Sequence, residues 1–481
     1  MTQPIILLTP PLALMDRMGA FSEGGAVMPG LGILYIASYL RRSGHDVRII
    51  DAEGLNLDIA ATVDTVCNLN PIVLGISSTT LGITASAEVA AAVKERRPDI
   101  LVYVGGPHVT ALPQETMQSF PQFDGCVLGD GETSFGRMMD NLAAGRPLEE
   151  GVDGLIFRKE EEIRHLAKKN HLADLDTLPL PAWDILPGFP RIYRPTFHSY
   201  RRLPVANIVT ARGCPGVCSF CDRSVFGQTP YFHSIDYVVD MIERLVKDFG
   251  IREISIKDDM FVMSPERVSA FCEEIISRKI DVTWSCNARV NYVSEAMLKV
   301  MRRAGCWMVS YGIESGSAQM LKKMMKGISL EQIKKALTWT RKNGIVSKGF
   351  YMIGIPGETL DTLNASLESL GTLPLDEISV NFYTPFPGSK LYGEVLNEGF
   401  IPDFQAMNMQ NVVYVPKDLT VSQLRNYQRK MIRSFYLRPK KMALYAGRAV
   451  TDFGELKRVW RMGKMFFSAM KSMYINRKEH P

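Results

Sequence analysis

Three cysteines lie within one short stretch of the 481-residue chain, Cys214, Cys218 and Cys221, separated by three and then two residues. Thiolates at these spacings can converge on one metal centre. A closed zinc site needs a fourth ligand, and His233 is a candidate for it, although nothing else nearby is typical of a zinc site. A four-iron cluster held by three thiolates instead leaves one iron open to a further ligand. The spacing therefore favours a four-iron cluster with one open iron.

The other five cysteines are predicted to be buried rather than to bind metal. Cys67, Cys126, Cys272 and Cys306 lie within apolar patterns, and Cys286 lies within a predicted strand. The first apolar stretch of the chain has no basic flank, which argues against a signal peptide. We therefore expect a cytoplasmic protein, in whose reducing surroundings structural disulfides are rare.

The cysteine stretch directly follows a predicted strand in the second half of the chain. From residue 205 to about 390, six apolar strand patterns recur, most of them followed by a helical pattern. The strand patterns are VANIVTA, EISIKDD, VTWSCNA, WMVSYGIES, KGFYMIG and EISVNFYTPFPG. Six consecutive strand–helix units predict a barrel or a partial barrel, whose chemistry belongs at the carboxyl ends of its strands.

Residues 1 to about 145 also alternate strand and helix patterns. The strand patterns are IILLT, DVRIID, IVLGIS, ILVYVGG and GCVLG. This alternation predicts a doubly wound parallel sheet, which binds ligands beyond the carboxyl ends of its strands. The turns at those ends are polar or rich in glycine, namely DAEG (51–54), SSTT (77–80), GGPH (105–108) and GDGE (129–132).

Together these patterns predict an α/β protein of four regions. Residues 1–148 form the doubly wound, Rossmann-like domain, and residues 149–200 form a proline-rich linker. Residues 201–395 form a partial (β/α)6 barrel similar to a TIM barrel. Residues 396–481 form a helical, basic extension.

Composition excludes several classes of protein. A hydrophobic share of 46% is typical of a globular chain with sizeable cores, and a net charge of +5 is too weak to predict a nucleic-acid partner. No apolar run reaches the roughly 18 residues of a membrane span. From about residue 438 onward the chain is basic and carries Trp460, Phe466 and Phe467. This segment predicts a surface helix on the barrel or, alternatively, a helix lying on a membrane surface.

The cysteine stretch, with Phe220 directly before its last cysteine, resembles the signature of the radical S-adenosylmethionine (radical SAM) superfamily. The resemblance extends over roughly residues 200 to 390. It implies a [4Fe–4S] cluster whose open iron binds the amino and carboxylate groups of SAM. It also implies that an electron from the cluster cleaves a carbon–sulfur bond of SAM and yields a 5′-deoxyadenosyl radical.

The resemblance further implies SAM-binding positions at successive strand ends. YGIESGS resembles the family segment that holds the ribose and methionine parts, and FYMIGIPGET resembles the loop beside adenine, where glycines permit close approach. KDDMF and WSCNARV match positions that are usually polar in the family. Each motif alone could be a buried turn or a paired charge. The implied positions are Asp258, Asp259, Arg289, Gly312, Glu314, Ser315, Gly354, Pro356 and Gly357.

The first region resembles the cobalamin-binding domain that accompanies many radical SAM barrels. The implied cobalamin positions are Ser77, Ser78, Thr79, Thr80, Gly105, Gly106, Pro107, Gly129, Gly131 and Glu132. Many such domains carry an Asp-x-His-x-x-Gly motif whose histidine coordinates cobalt, but the matching strand end here reads DAEGLN. His108 is interpreted as a residue of loop structure. The sequence therefore predicts cobalamin bound without a histidine ligand to cobalt.

The resemblance implies a cobalamin-dependent methyltransferase that acts on an unactivated carbon of a small molecule, such as a lipid or a tetrapyrrole. One alternative is a non-methylating cyclase or oxidase that acts on a tetrapyrrole, as in the anaerobic cyclase of magnesium-porphyrin metabolism. Another is a methylthiotransferase, which would carry a second set of three cysteines in the first region, where only Cys67 and Cys126 lie. The strand-end motifs disfavour a metal-stabilised binding protein. The expected reductant is a flavodoxin or a ferredoxin.

Overall fold

The computed structural model describes residues 3–18, 27–160, 162–169, 171–172, 174–196, 198–439 and 441–443. The basic C-terminal segment with Trp460, Phe466 and Phe467, for which a surface or membrane helix was expected, lies outside the described residues.

The first sheet joins seven strands of the described chain. They are β1 (Ile5–Thr9), β2 (Val47–Asp51), β3 (Val73–Ser77), β4 (Leu101–Gly105), β5 (Gly125–Val127), β6 (Leu155–Lys159) and β7 (Glu162–Leu166). Their order is β2–β1–β3–β4–β5–β6–β7, and the first five are parallel. The chain order reverses between β1 and β3, which creates the crevice in which doubly wound sheets bind ligands.

Helices cover both faces of this sheet. They are α1 (Leu14–Met18), α2 (Leu31–Arg42), α3 (Ile59–Leu69), α4 (Ile83–Arg96), α5 (Pro107–Ala111), α6 (Pro113–Ser119) and α7 (Gly131–Ala143). Alternate residues of β1 belong to different cores: Leu7 packs with residues of α2 and α7, whereas Leu8 packs with residues of α3 and α4. Burial on both faces explains why the strands read as continuous apolar runs. The structure thus confirms the predicted doubly wound sheet.

The predicted linker differs from the structure at its beginning. Within residues 149–200, β6 and β7 pair antiparallel with β5 and with each other, and so extend the first sheet. The apolar segment Leu155–Phe157 is buried there. The prolines further along were the stronger sequence signal, and they do lie in irregular chain. There the buried Trp183 begins a short 3₁₀ turn, and the backbone N–H of Ala182 donates to the carbonyl of Leu34 in α2. The limits of the four regions remain predictions.

The second sheet joins six strands of the described chain, all parallel. They are β8 (Val205–Ile208), β11 (Glu253–Ile256), β12 (Thr283–Ala288), β13 (Cys306–Glu314), β14 (Val346–Ile353) and β15 (Glu377–Phe382). They follow each other in sequence order across the sheet, with β8 and β15 at its edges. A short antiparallel ribbon, β9 (Ala211–Arg212) with β10 (Tyr231–Phe232), follows β8. The structure confirms the predicted partial barrel.

Helices line the outer face of the second sheet. They are α8 (Ile235–Phe249), α9 (Pro265–Ser277), α10 (Glu295–Arg303), α11 (Ala318–Lys323), α12 (Leu330–Lys342), α13 (Leu360–Thr372), α14 (Lys390–Asn397) and α15 (Val421–Tyr436). α15 belongs to the expected helical C-terminal region and covers the edge strand β15. Gln428 donates to the carbonyl of Val380 at 2.9 Å, and the Tyr436 hydroxyl bonds both backbone groups of Ile378 at 3.0 Å. These bonds satisfy an edge that would otherwise be open to pairing.

Candidate active site

A cavity of about 450 Å³ lies between the carboxyl ends of the first sheet and the cysteine stretch. The first region contributes Gly105, Gly129 and Glu132 to its wall, and the second region contributes Cys214 and Cys221. The two groups of residues that the sequence assigned to different cofactors therefore share one space.

The cysteine stretch is held in place at its beginning by a glycine that no other residue could replace without strain. Gly213 has a φ of +86°, and a Cβ there would lie 2.4 Å from the carbonyl oxygen of Thr229. Its backbone N–H donates to Asp259 at 3.1 Å, so this predicted site residue fixes the stretch and also lines the cavity. Asp259 thus links the end of β11 to the first cysteine.

The three thiols of this stretch are free of disulfides and lie close together. The N–H of Gly216 donates to Cys214 Sγ at 3.4 Å, and Arg289 donates to Cys218 Sγ at 3.7 Å. Desolvation, and then the neighbouring thiols of Cys218 and Cys214, raise the pKa of Cys221 to about 11, while the exposed part of its side chain faces the cavity. Donors directed at sulfur stabilise thiolate charge, so this set of residues fits an iron–sulfur cluster.

The arrangement of these side chains differs from that of a site for a single metal ion. Within the described parts of the chain, no three His, Cys, Asp or Glu side chains converge as the ligands of a single metal would. A four-iron cluster takes its thiolates on different iron atoms, so its ligands need not meet at one point. His233, the alternative fourth ligand, has both ring nitrogens engaged: Nδ1 lies 3.1 Å from Asp176, and Nε2 lies 3.4 Å from the Tyr35 hydroxyl.

Asp258 supports the chain that leads into the cysteines. Its two carboxylate oxygens accept from the backbone N–H and the hydroxyl of Thr210, each at 2.5 Å. Its side chain is buried, and burial raises its pKa to about 6 despite these hydrogen bonds. These hydrogen bonds occupy both carboxylate oxygens. Asp258, a predicted site residue, therefore holds the cysteine stretch in position.

At the end of β13, three predicted residues meet beside the cysteine stretch. Glu314 accepts from Lys326 at 2.7 Å, and the Lys326 ammonium lies 5.5 Å from the centre of the Phe220 ring. A Cβ on Gly312 would lie 2.4 Å from the Glu314 carboxylate, so a larger residue there would have to displace the Glu314 side chain. Ser315 is fully buried and bonds Ser366 at 3.0 Å, which is a structural role.

The sequence analysis did not predict a role for Glu358, the glutamate of FYMIGIPGET. Glu358 is fully buried and accepts hydrogen bonds from the backbone N–H groups of Gly354 and Ile355. Gly354 and Gly357 have φ values of +87° and +76°, so Glu358 closes a loop that depends on glycine. One Glu358 oxygen, Oε1, has no hydrogen-bond partner among the described residues. An acidic residue just after two glycines was the available signal.

Glu358 is expected to make stability depend on pH. Burial raises its pKa from the usual 4.5 to about 7, so between these values the folded protein holds a proton that the unfolded chain has lost. Stability from this group is therefore fully present below pH 4.5 and is lost as the pH rises towards 7. We expect the urea midpoint of wild type, relative to Glu358→Gln, to fall across this range and then to level off. A constant difference would contradict this, and the exposed Glu331→Gln is the control.

The glycine-rich turns of the first sheet contact one another. Gly106 has a φ of +107°, and a Cβ there would lie 2.5 Å from the carbonyl oxygen of Ser78. The N–H of Ser78 donates to the carbonyl of Gly105 at 2.8 Å, and Ser86 donates to the Ser78 hydroxyl at 3.0 Å. Of the predicted cobalamin positions, those that line the cavity are Ser77, Gly105, Gly106, Pro107, Gly129, Gly131 and Glu132. Ser78, Thr79 and Thr80 are not part of that wall.

A buried ion pair that sequence reasoning missed joins the two halves of the cavity. Arg212, in β9, donates to Glu132 at 2.6 Å, and both side chains are almost fully buried, with 6% and 4% exposure. The Arg212 guanidinium also lies 5.2 Å from the centre of the Tyr35 ring and 5.1 Å from that of Phe226. The partners are far apart in sequence, so no local pattern could reveal them.

No histidine lies in the described wall of the cavity. Asp51 of the DAEG turn accepts from the N–H of Gly54 at 3.0 Å and from the Tyr193 hydroxyl at 2.9 Å. His108 belongs to α5, not to a loop as expected, because Pro107 begins a helix. It is 1% exposed, packs edge-on against Phe404 at 4.7 Å, and burial lowers its pKa to about 4.

The other five cysteines lie away from this site. Cys126, Cys272, Cys286 and Cys306 are buried, as expected, and Cys67 is half-buried. All five are unpaired.

Comparison with known proteins agrees with this arrangement. Residues 208–370 match the radical SAM superfamily, and residues 20–138 match the B12 binding domain. An uncharacterized methyltransferase of Pyrococcus horikoshii is 31% identical over 86% of this chain and 89% of its own length. The anaerobic magnesium-protoporphyrin IX monomethyl ester cyclase of Rubrivivax gelatinosus is 28% identical over 87% of this chain and 76% of its own length.

The fold is similar to a solved structure, that of the cobalamin-dependent S-adenosylmethionine radical enzyme OxsB. The TM-score is 0.75 with 18% identity, covering 98% of this chain and 72% of that one. The chain therefore belongs to the radical SAM superfamily and carries a B12-binding domain. It is an enzyme of the kind that uses a [4Fe–4S] cluster, SAM and cobalamin, and such enzymes act on small molecules with the help of a reductant. Among the described helices, none is both long and apolar enough to span a bilayer.

Proposed function

We propose that the protein is a cobalamin-dependent radical SAM methyltransferase that methylates an unactivated carbon of a small molecule. The observation that carries this proposal is the shared cavity, which borders Gly105 and Gly129 on one side and Cys214 and Cys221 on the other. When bound, the cofactors supply a radical that abstracts hydrogen and a methyl group that replaces it. Both must reach the same substrate carbon, so they need to face one enclosed space.

The proposal gives each predicted position a role within the regions 1–148 and 201–395. The three cysteines hold the cluster, and Asp258, Asp259 and Arg289 position them. SAM lies along Phe220, Gly312, Glu314, Gly354, Pro356 and Gly357, and the buried Ser315 supports this segment through its bond to Ser366. Cobalamin lies over Ser77, GGPH and GDGE in the crevice of the first sheet, and the rest of SSTT supports these turns from outside the cavity wall. The contacts of Arg289 with Cys218, and of Glu314 with Lys326, support this arrangement.

Glu314→Ala is expected to weaken SAM binding while leaving the cluster intact. Loss of a hydrogen bond to a charged group costs about 1.5–3 kcal/mol, so the Kd for SAM should rise by roughly ten- to a hundredfold. Equilibrium binding of SAM to the anaerobic, cluster-loaded protein measures this, and iron content reports the cluster. The exposed Glu331→Ala is the matched control. An unchanged Kd in the Glu314 variant would remove this residue from the SAM site.

Cobalamin is expected to bind without a protein histidine on its cobalt. The absorption and electron paramagnetic resonance spectra of the bound cofactor should lack the signature of an axial nitrogen from histidine. His108→Gln should leave those spectra unchanged, because His108 is buried against Phe404. A histidine-ligated spectrum would contradict the prediction, and failure of the full-length, cluster-loaded protein to bind cobalamin would overturn the methyltransferase proposal.

The ratio of two products from SAM tests the function. A methyltransferase consumes one SAM as radical source and another as methyl donor, so 5′-deoxyadenosine and S-adenosylhomocysteine should accumulate together. The second candidate is a cyclase or oxidase, which the 28% identity with the Rubrivivax gelatinosus cyclase favours. It would release 5′-deoxyadenosine without stoichiometric S-adenosylhomocysteine. Mass spectrometry of candidate lipid and tetrapyrrole substrates should also show a gain of one methylene.

The proposal includes a small electron-transfer protein, a flavodoxin or a ferredoxin, as reductant in the cytoplasm. Peripheral membrane contact through the basic C-terminal segment is part of the same proposal, and its support is the sequence of residues 438–478 alone.

A further inference from the structure

The two faces of the second sheet differ in character. One face carries apolar residues that belong to the core with the surrounding helices, among them Ile254, Ile256 and Val309. Since side chains alternate across a strand, the residues between them lie on the opposite, concave face. In register across the strands, these are Asn207 with Ser255, Ser255 with Ser285, Asn287 with Ser310, and Ser310 with Lys348. The concave face is therefore unusually polar.

This concave face is partly open: Ser255, Ser285 and Ser310 are buried, but other positions on it are accessible. Asn287 is exposed although β12 is a central strand, and Phe350, Met352 and Asn381 are only half-buried. Two residues beyond Asn287, Arg289 reaches Cys218 Sγ. Because a strand rises about 3.3 Å per residue, the polar level of Asn287 lies roughly 7 Å below the backbone of Arg289, whose guanidinium contacts Cys218. The accessible part of the concave face, here called the concave chamber, thus lies on the side of the sheet from which Arg289 reaches Cys218.

Lys257 follows β11 on this face, two residues beyond Ser255. Its side chain is exposed, and its ammonium makes no hydrogen bond or ion pair within the described parts of the chain, whereas its backbone N–H donates to the carbonyl of Ile208 at 2.8 Å. Desolvation lowers the pKa of the Lys257 ammonium, and no described carboxylate forms an ion pair with it. An ammonium that is accessible, partly desolvated and without an ion-pair partner is a ready binding point for an anion.

A second polar group on the same face lacks a partner. Asn207 pairs in register with Ser255 and is 7% exposed. Its Nδ2 donates to the carbonyl of Pro29 at 2.9 Å, whereas its Oδ1 is buried and accepts no hydrogen bond from the described residues. A buried acceptor without a donor costs free energy that a ligand with an N–H or O–H group would recover.

We infer that the substrate is an anion, a carboxylate or a phosphate, whose charged group is bound by Lys257 in the concave chamber and whose hydrogen-bond donor reaches Asn207. This inference rests on the proposed function, because it assumes that the reacting carbon lies between this chamber and the cysteine stretch. It narrows the substrate class, since an uncharged hydrocarbon lipid would leave Lys257 without a partner.

The test uses pyridoxal 5′-phosphate, an anionic aldehyde, and its uncharged-side-chain analogue 5-deoxypyridoxal, which cannot form an internal hemiacetal, as probes on the cluster-loaded protein. Each probe forms an imine with an accessible lysine, cyanoborohydride fixes the label, and peptide mass spectrometry locates it. We expect the phosphate probe to label Lys257 roughly tenfold more than 5-deoxypyridoxal does, which corresponds to about 1.4 kcal/mol. The exposed Lys334 on α12 is the internal control and should show no such preference.

Variants and competitors complete the test. Asn287→Asp places a carboxylate on the strand beside Lys257 and should lower anion-dependent labelling severalfold, whereas Asn287→Ser should not. Protection by inorganic phosphate would identify a phosphate group, and protection by acetate a carboxylate. Absence of label on Lys257, or equal labelling by both probes, would overturn the inference. Formation of 5′-deoxyadenosine is measured separately, so failure of the proposed function would be seen independently of this result.

Discussion

Cys214→Ala, Cys218→Ala and Cys221→Ala are each expected to abolish the iron–sulfur cluster and, with it, the formation of 5′-deoxyadenosine from SAM. Three thiolates are the minimum that holds a cluster with one open iron, and no spare thiol is available, because Cys126, Cys272, Cys286 and Cys306 are buried elsewhere. Iron content, the brown absorbance of the anaerobic protein and product formation measure the loss. All three should fall to background together.

Cys67→Ala is the matched control for this set. Cys67 is half-buried on α3 in the first region, and its loss should leave iron content and product formation at the wild-type level. If the triple variant of the three cysteines still produced 5′-deoxyadenosine, the cluster assignment would be wrong.

Arg212→Met is expected to destabilise the protein by about 3–5 kcal/mol, because it leaves the Glu132 carboxylate buried without its partner. It also removes the guanidinium from between the Tyr35 and Phe226 rings. Since Arg212 and Glu132 both line the cavity, retention of cobalamin should fall as well. Urea unfolding and the amount of cobalamin that survives gel filtration measure the two effects.

A double variant distinguishes two possible causes of the lost stability: an uncompensated buried charge, and the loss of the ion pair itself. Replacing both partners, as Arg212→Met with Glu132→Leu, should recover most of the lost stability, because no uncompensated charge remains. Arg96→Met breaks the exposed pair with Asp64 and should leave the urea midpoint close to that of wild type. A double variant no more stable than Arg212→Met would show that the buried charge is not the cause.

The sequence by itself determined the two sheets and the cysteine stretch. The strand patterns were recognisable because parallel strands covered on both faces have short, continuous apolar sequences. The helices between them were recognisable from apolar residues spaced three or four positions apart. The ligand spacing was also a local property, since Cys214, Cys218 and Cys221 belong to one stretch. Family motifs at strand ends then placed Glu314 and Gly354 near it, because parallel strands end at the same edge.

Only the tertiary structure decided which of these residues meet. β6 and β7 were missed because their antiparallel pairing with β5 depends on register, which the linker sequence does not reveal. The pair of Arg212 with Glu132 joins residues whose contact requires both regions to be packed. The polar concave face around Lys257 likewise arises from alternation along several strands at once. Spacing along the chain fixes contacts within a segment, whereas contacts between segments follow from packing, which the sequence pattern does not contain.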